Sequence, residues 1–290
     1  MKIWKNKILL FLCTVVCFTL FDCGDPASKT KSVSEDRYVY DTIGSVVKLT
    51  VLRDEQMLFY REHVIEGDSL IPHGLHKEWH QNGNLKFEYQ FVRGSREGLV
   101  QEFDSAGTLR KVSQYSNDQL DSFSLEYFPN GRIRCRFNLL NEEMFGQQEC
   151  YSVTGRLENL YLHTKDGLLV FQASFDSAGN LEKTEGVPII MIGNAPAIPV
   201  NGPFHLVVHF ADLPSAKPAL LCSITNDLGK VVWEDRVDTF KSMFGCYYAI
   251  FEFTFQERGK YGVNIDIAYA NTQNDSVFLT QRRSGSVTVK

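Results

Sequence analysis

Five glycines stand 24 residues apart: Gly83, Gly107, Gly131, Gly155 and Gly179. A short, constant period restricts a chain to stacked like units that bury their apolar faces against one another. An aromatic residue precedes each glycine by four positions (Trp79, Phe103, Tyr127, Tyr151, Phe175), and a branched aliphatic follows by two (Leu85, Leu109, Ile133, Leu157, Leu181). The clearest copy is "EYFPNGRIR", 126–134. Pro129-Asn130-Gly131 suits a three-residue hairpin loop, in which Pro presets the first φ of a type I turn and Gly takes the following left-handed position, forming a G1 bulge.

With that loop, Tyr127 faces Ile133 and Glu126 faces Arg134. The same register sets Glu78 against Lys86 and Glu102 against Arg110, opposite charges that stabilise paired strands. Cys150 against Glu158 breaks the series. After each glycine, positions +2, +4, +6 and +8 of the first four repeats are apolar or aromatic in 12 of 16 cases, and positions +3, +5 and +7 in 3 of 12. This alternation is that of a half-buried antiparallel strand. Because 24 is even, the expectation is that every repeat lays its apolar residues on one face.

"GLHKEWHQNGNLK" (74–86) and "SFSLEYFPNGRIR" (122–134) resemble the bacterial MORN-variant repeat, whose pattern runs Gly-x3-Glu-aromatic-x2-Asn-Gly-x-Leu. "GLVQEFDSAGTLR" (98–110) is close, and "GQQECYSVTGRLE" (146–158) and the segment around Gly179 are degraded copies. The resemblance covers about 115 residues. It implies hairpin repeats and an interaction or scaffold role, with an antitoxin or immunity-like role as an alternative.

Residues 1–22 read as a secretory signal, with Lys2, Lys5 and Lys7 followed by the apolar run 8–21, short for a bilayer span. "LFDCGD" resembles a lipoprotein processing site that would leave Cys23 lipidated, although Asp22 stands where a small residue is usual. Residues 23–38 form a polar tether. The expected address is the bacterial cell envelope, with membrane anchoring through Cys23. The chain carries 30 basic and 35 acidic residues. Loss of residues 1–22 removes three lysines and one aspartate, leaving 27 and 34, a net charge of −7. With no basic cluster, no nucleic-acid partner is expected.

Cys135 and Cys150 fall on opposite faces under the register above, so no disulfide is expected between them without a bulge. Pairing of Cys222 with Cys246 stays open. Residues 39–72 contain strand-like stretches that fit a partial capping repeat, and 73–186 hold the repeats. From 187 onward the period stops at a cluster of prolines. Short strand segments follow at 204–210, 219–224, 230–234, 246–255, 261–269, 276–281 and 286–289, which suggest a β-sandwich over 187–290. "GKYGV" (259–263) resembles the start of an immunoglobulin-like F strand, whose Tyr hydroxyl caps an upstream backbone group. The expected class is therefore all-β: an antiparallel sheet of 24-residue hairpin repeats, then an immunoglobulin-like sandwich.

No nucleophile elbow, zinc-protease helix, phosphate loop or dinucleotide fingerprint occurs. His76 and His80, like His205 and His209, are four apart, which on a strand is roughly 13 Å and too far for one metal ion. "DSAG" (104–107, 176–179), "DTI" (41–43) and "DSV" (275–277) resemble a bacterial O-glycosylation motif, and also suit simple turns. No catalytic residue, metal or cofactor is expected. The leading expectation is a non-catalytic envelope module that binds a protein or surface polymer. An exported carbohydrate hydrolase, with two carboxylates meeting only in three dimensions, is the alternative.

Overall fold

The computed structural model describes residues 36–193, 195, 197–237, 240–243 and 245–290. The expected signal, Cys23 and all of the tether before Asp36 lie outside the described residues. The described chain is all-β, with no helix among the described residues. The first sheet holds β1 (Asp36–Ile43), β2 (Val46–Arg53), β3 (Gln56–Glu66), β4 (Ser69–Trp79), β5 (Leu85–Val92), β6 (Ser95–Phe103), β7 (Leu109–Ser116), β8 (Gln119–Tyr127) and β9 (Ile133–Leu140). It continues through β10 (Glu143–Met144), β11 (Gly146–Tyr151), β12 (Leu157–His163), β13 (Leu169–Phe175) and β14 (Leu181–Gly186). These 14 strands lie in sequence order, with β10 paired only to β9. Every neighbour is antiparallel, as tight turns require.

Two turn types alternate along this sheet. At one end Gly131 N donates to Phe128 O (2.9 Å) and Phe128 N to Arg132 O (2.8 Å), enclosing the expected Pro-Asn-Gly loop. The same bonds close the turns at Gly83, Gly107, Gly155 and Gly179. In the "DSAG" turns, Asp104 Oδ1 accepts from the amides of Ala106 and Thr108, and Asp176 Oδ1 from those of Ala178 and Asn180. At the other end Arg93-Gly94, Asn117-Asp118 and Asn141-Glu142 all have positive φ, the signature of two-residue type I′ hairpins. Gly131 has φ 78°, a conformation that a β-branched side chain adopts only under strain. Gly131→Val is expected to lower the unfolding free energy by about 1–3 kcal/mol, and Gly131→Asn by less because Asn tolerates this region. Urea denaturation of the two variants measures the difference.

Each loop is followed by a bulge that corrects the expected register. Tyr127 pairs with Ile133 as expected, but Glu126 pairs with Cys135, leaving Arg134 as the extra residue. The slip recurs at Glu78↔Phe87, Glu102↔Lys111, Cys150↔Asn159 and Ser174↔Lys183. Two residues opposing one is the geometry that switches the phase of a strand. Of the three expected charge pairs, Glu126–Arg134 survives as an ion pair. Arg110 lies 3.9 Å from Asp104, and Lys86 Nζ lies 5.2 Å from the centre of the Phe87 ring.

The switched phase brings Cys135 and Cys150 directly opposite one another, where they form a disulfide with Cα atoms 4.2 Å apart. The expectation that they lie on opposite faces is thus overturned. It also overturns the expectation of a single apolar face. A first face carries one continuous row: Tyr38, Val51, Phe59, Glu78 and Phe87, then Glu102, Lys111, Glu126 and Cys135, then Cys150, Asn159, Ser174 and Lys183. Trp79, Phe103, Tyr127, Tyr151 and Phe175 sit one position away, together on the second face, each opposite its aliphatic partner.

Among the described residues before Cys135, Val47, Val51 and Val112 are the buried apolar ones. This half of the sheet hides its rings under long cationic side chains instead, such as Arg61 across Phe59 and Phe91 and Arg96 across Tyr115. Farther on, the second face turns apolar. Leu160, Leu162, Phe171, Ala173 and Phe175 are buried in one core with the C-terminal strands.

Those strands are β15 (Ile189–Gly193), β16 (Ala197–Ile198), β17 (Pro203–Phe210), β18 (Ala216–Thr225), β19 (Val231–Val237), β20 (Lys241–Met243), β21 (Cys246–Thr254), β22 (Gly259–Asn271) and β23 (Val277–Val289). They form two sheets, ordered β15-β17-β21-β20 and β16-β23-β22-β18-β19, with β16 parallel to β23. Trp233 meets Phe251 and Phe253 across the two sheets, with centroids 6.4 and 5.5 Å apart. The segments 276–281 and 286–289, expected as two strands, are one. Tyr261 Oη donates to Glu257 O (3.1 Å), the backbone cap expected from "GKYGV".

Candidate binding groove on the repeat sheet

The first face holds a groove of about 320 Å³ over β4–β7. The row across the sheet supplies Glu78, Phe87, Glu102 and Lys111, and the next row supplies Tyr89, Val100 and Ser113. Arg96 and Tyr115 close the end near the type I′ turns. Ser113 and Ser124 join hydroxyls at 2.7 Å, both buried beside the groove.

A buried polar chain fixes Glu78. Arg61 Nε donates to His76 Nδ1 (3.0 Å), so the imidazole proton resides on Nε2, which donates to Glu78 Oε1 (3.0 Å). His76 is fully buried, packed by Tyr89, Phe91 and Phe59 at centroid distances of 4.6, 5.8 and 6.0 Å. Burial holds its pKa below the ordinary value, against the opposing pull of Glu78. At the other end, Asp118 accepts from the Arg96 amide (2.9 Å) and from its Nε (3.0 Å). These bonds hold Asp118 below the usual carboxylate range and keep the guanidinium over the Tyr115 ring, 4.4 Å from its centroid. Burial raises the Tyr89 hydroxyl above its ordinary value.

His63, His163 and His209, like His76, are buried with lowered pKa values, burial being the largest cause in each. Each binds fewer protons folded than unfolded. Their stabilising contribution is therefore complete above the unfolded value of about 6.5 and is lost as pH falls through the lowered folded values. The unfolding free energy from urea denaturation is expected to be lower at pH 5.5 than at pH 7.5, by up to about 1.4 kcal/mol per pH unit for each group. Asp212, raised by burial and by Glu149, acts in the opposite sense. His76→Gln measured at both pH values isolates one histidine, and a shallower pH dependence is the expected result.

The remaining singled-out residues have structural engagements. His80 Nε2 bonds Phe103 O (2.9 Å) rather than sharing a ligand with His76. His205 pairs with Glu252 and His209 faces Cys246. Burial lifts the thiols of Cys222 and Cys246 to about 12, which leaves both poorly reactive. A second polar cluster ties the long sheet to the C-terminal strands: Gln147 bonds the backbone of Asp212 through both amide atoms, and Glu149 receives Arg136, Gln147 and Tyr151. These groups are mutually satisfied.

Glu78 and Glu102 recur at the repeat spacing, and Phe87 and Tyr89 fall on alternating apolar positions +4 and +6 after Gly83. Arg61, Arg96, Ser113 and Asp118 carried no signal, because their convergence depends on where the bulges fall. No curated protein matches the chain. A solved structure of a mutant Salmonella alpha-2-macroglobulin aligns with 88% of this chain and 23% of that one, at 10% identity and a TM-score of 0.20, too low to bear on function. Residues 72–93 match the family model described as MORN repeat variant, and that stretch, β4 through the β5–β6 turn, contains the turn glycine Gly83 and the groove residues Glu78, Phe87 and Tyr89.

Proposed function

We propose that the protein is an exported, membrane-anchored, non-catalytic binding module that engages a protein or surface polymer through the first face of its repeat sheet. The observation that carries this reading is the groove over β4–β7, where Glu78 and Arg96 are each held in place by other side chains. Preorganised polar groups beside half-buried rings favour binding, because little ordering remains to be done on association. The repeat match at 72–93 supports an interaction role. The strand order and the Tyr261 cap support reading the C-terminal sheets as immunoglobulin-like. The Cys135–Cys150 disulfide supports an oxidising, exported setting, and the lipobox-like "LFDCGD" supports anchoring at Cys23.

A photo-reactive residue at position 111, in the groove, is expected to capture a partner in living cells, and the same group at Glu234 on β19 is not. Equal capture at both sites, or none at 111, contradicts the reading. Palmitate labelling lost in Cys23→Ala tests the anchor.

Glu78 and Glu102 favour a second reading, hydrolysis of a glycan. They flank Phe87 from either side on one face, with backbones about 10 Å apart across two strand spacings, and a glycosidase uses two carboxyl groups on either side of the scissile bond. Release of reducing ends from a bound polysaccharide, abolished in Glu102→Gln, would establish catalysis, and intact recovery of the polymer would dismiss it.

A further inference from the structure

We infer that the groove takes a neutral linear glycan, lying across the strands along the Glu78–Lys111 row. This deepens the binding-module reading and rests on it.

The position of the groove disfavours a peptide. It lies mid-sheet, where β5, β6 and β7 are paired on both edges, so their backbone groups are already engaged. Extended peptides dock by adding a strand to an open edge, and none is available here. A ligand must be read by side chains alone.

The side chains present match a polyhydroxylated chain. Glu78 and Glu102 accept hydrogen bonds, and Arg96 and Lys111 donate them. Their formal charges cancel, which matches an uncharged ligand and leaves a polyanion or polycation without net attraction. His76 occupies Oε1 of Glu78, so the carboxylate is oriented before any ligand arrives. Phe87 and Tyr89 project from the same face of β5, with fully buried His76 beside Tyr89 on the neighbouring strand, its ring tilted 48° at 4.6 Å. Such rings offer apolar surface to the C–H faces of a pyranose, and the hydroxyl edges of the sugar meet the flanking carboxylates and cations. Neighbouring residues of the row are about 4.8 Å apart, one strand spacing, which is close to the advance of one sugar in an extended chain. A linear polymer can thus present equivalent groups to Glu78, Phe87, Glu102 and Lys111 in turn.

The test is calorimetric titration of the intact protein with hexasaccharides of β-1,4-glucose, β-1,4-xylose, β-1,4-mannose and β-1,3-glucose, alongside polygalacturonate as an anionic control. Saturable binding of at least one neutral hexasaccharide is expected, weakened about tenfold or more in Glu102→Gln, since a hydrogen bond to a charged group is lost. Asn159→Ala, on the same face but outside the groove, is expected to bind as the parent does. Lys111→Met provides a second groove variant, and urea midpoints confirm that each variant is folded. Binding is expected to change little with salt, because no net charge is neutralised. No binding of any neutral hexasaccharide, binding indifferent to both groove substitutions, or salt-sensitive binding of polygalacturonate alone overturns the glycan assignment. If glycans fail but position 111 still captures a protein, the binding-module reading stands without this ligand. If both fail, both fall.

Discussion

Phe171→Ala is expected to lower the unfolding free energy by about 3–5 kcal/mol, the range for removing a buried aromatic ring from a packed core. Phe171 is 1% exposed on the second face of β13. It shares its core with Leu160 and Leu162 of β12 and with Ile189, Leu206 and Phe210 of the C-terminal strands. No comparable cluster underlies β1–β8, whose sheet rests on its hydrogen-bond ladders and cross-strand pairs. The loss is therefore expected to register throughout the described chain. Trp79 reports on the repeats and Trp233 on the C-terminal sheets. Urea unfolding of the parent, followed through variants that retain only one of these two tryptophans, is expected to show both probes moving together to lower midpoints when Phe171 is truncated. A shift confined to Trp233 would mean that the repeat sheet draws its stability from elsewhere.

The second large effect concerns the disulfide. It joins adjacent strands β9 and β11 across a sequence separation of 15. Closing a loop of that size in the unfolded chain is worth about 3 kcal/mol in the chain-entropy account. The paired substitution Cys135→Ala with Cys150→Ala is expected to lose about that much, and to abolish the difference in urea midpoint between reduced and oxidised samples. The bond sits where Phe137 and Leu139 begin the smaller buried cluster. Its loss is expected to loosen the stretch in which the sheet passes from two half-exposed faces to one buried face.

The period, the turn and the strand alternation were legible in the sequence because each is set by local chemistry. Proline, asparagine and glycine specify the loop 129–131 without reference to the rest of the chain. Tyr127↔Ile133 followed correctly from that loop. The next pair did not, because a bulge is specified by the hydrogen bonding of two strands and leaves no mark of its own in composition. One inserted residue at Arg134 moved Cys135 to the other face, and with it Phe137 and Leu139. The three apparent exceptions to the alternation, Val112, Leu160 and Leu162, show the same phase error from the other side. All three are buried on the second face, and the two leucines are there because the C-terminal strands cover them. The groove was half legible. Glu78 and Glu102 recur at the repeat spacing, but an unbulged register pairs them with Lys86 and Arg110 across the hairpins. The bulges move those cations out of direct opposition and bring Phe87 and Lys111 beside the carboxylates. Arg61 and Asp118 reach the site from β3 and from a type I′ turn, outside the repeat motif.

The bulged register sets which residues share the groove and which share the core. Peptide mapping of the oxidised protein after alkylation under non-reducing conditions tests it most directly. The expected result is one cross-linked pair, Cys135 with Cys150, and Cys222 and Cys246 recovered as alkylated thiols once the protein is unfolded. Recovery of Cys135 and Cys150 as separate alkylated peptides, or of either joined to Cys222 or Cys246, would contradict the register and with it the composition of both faces.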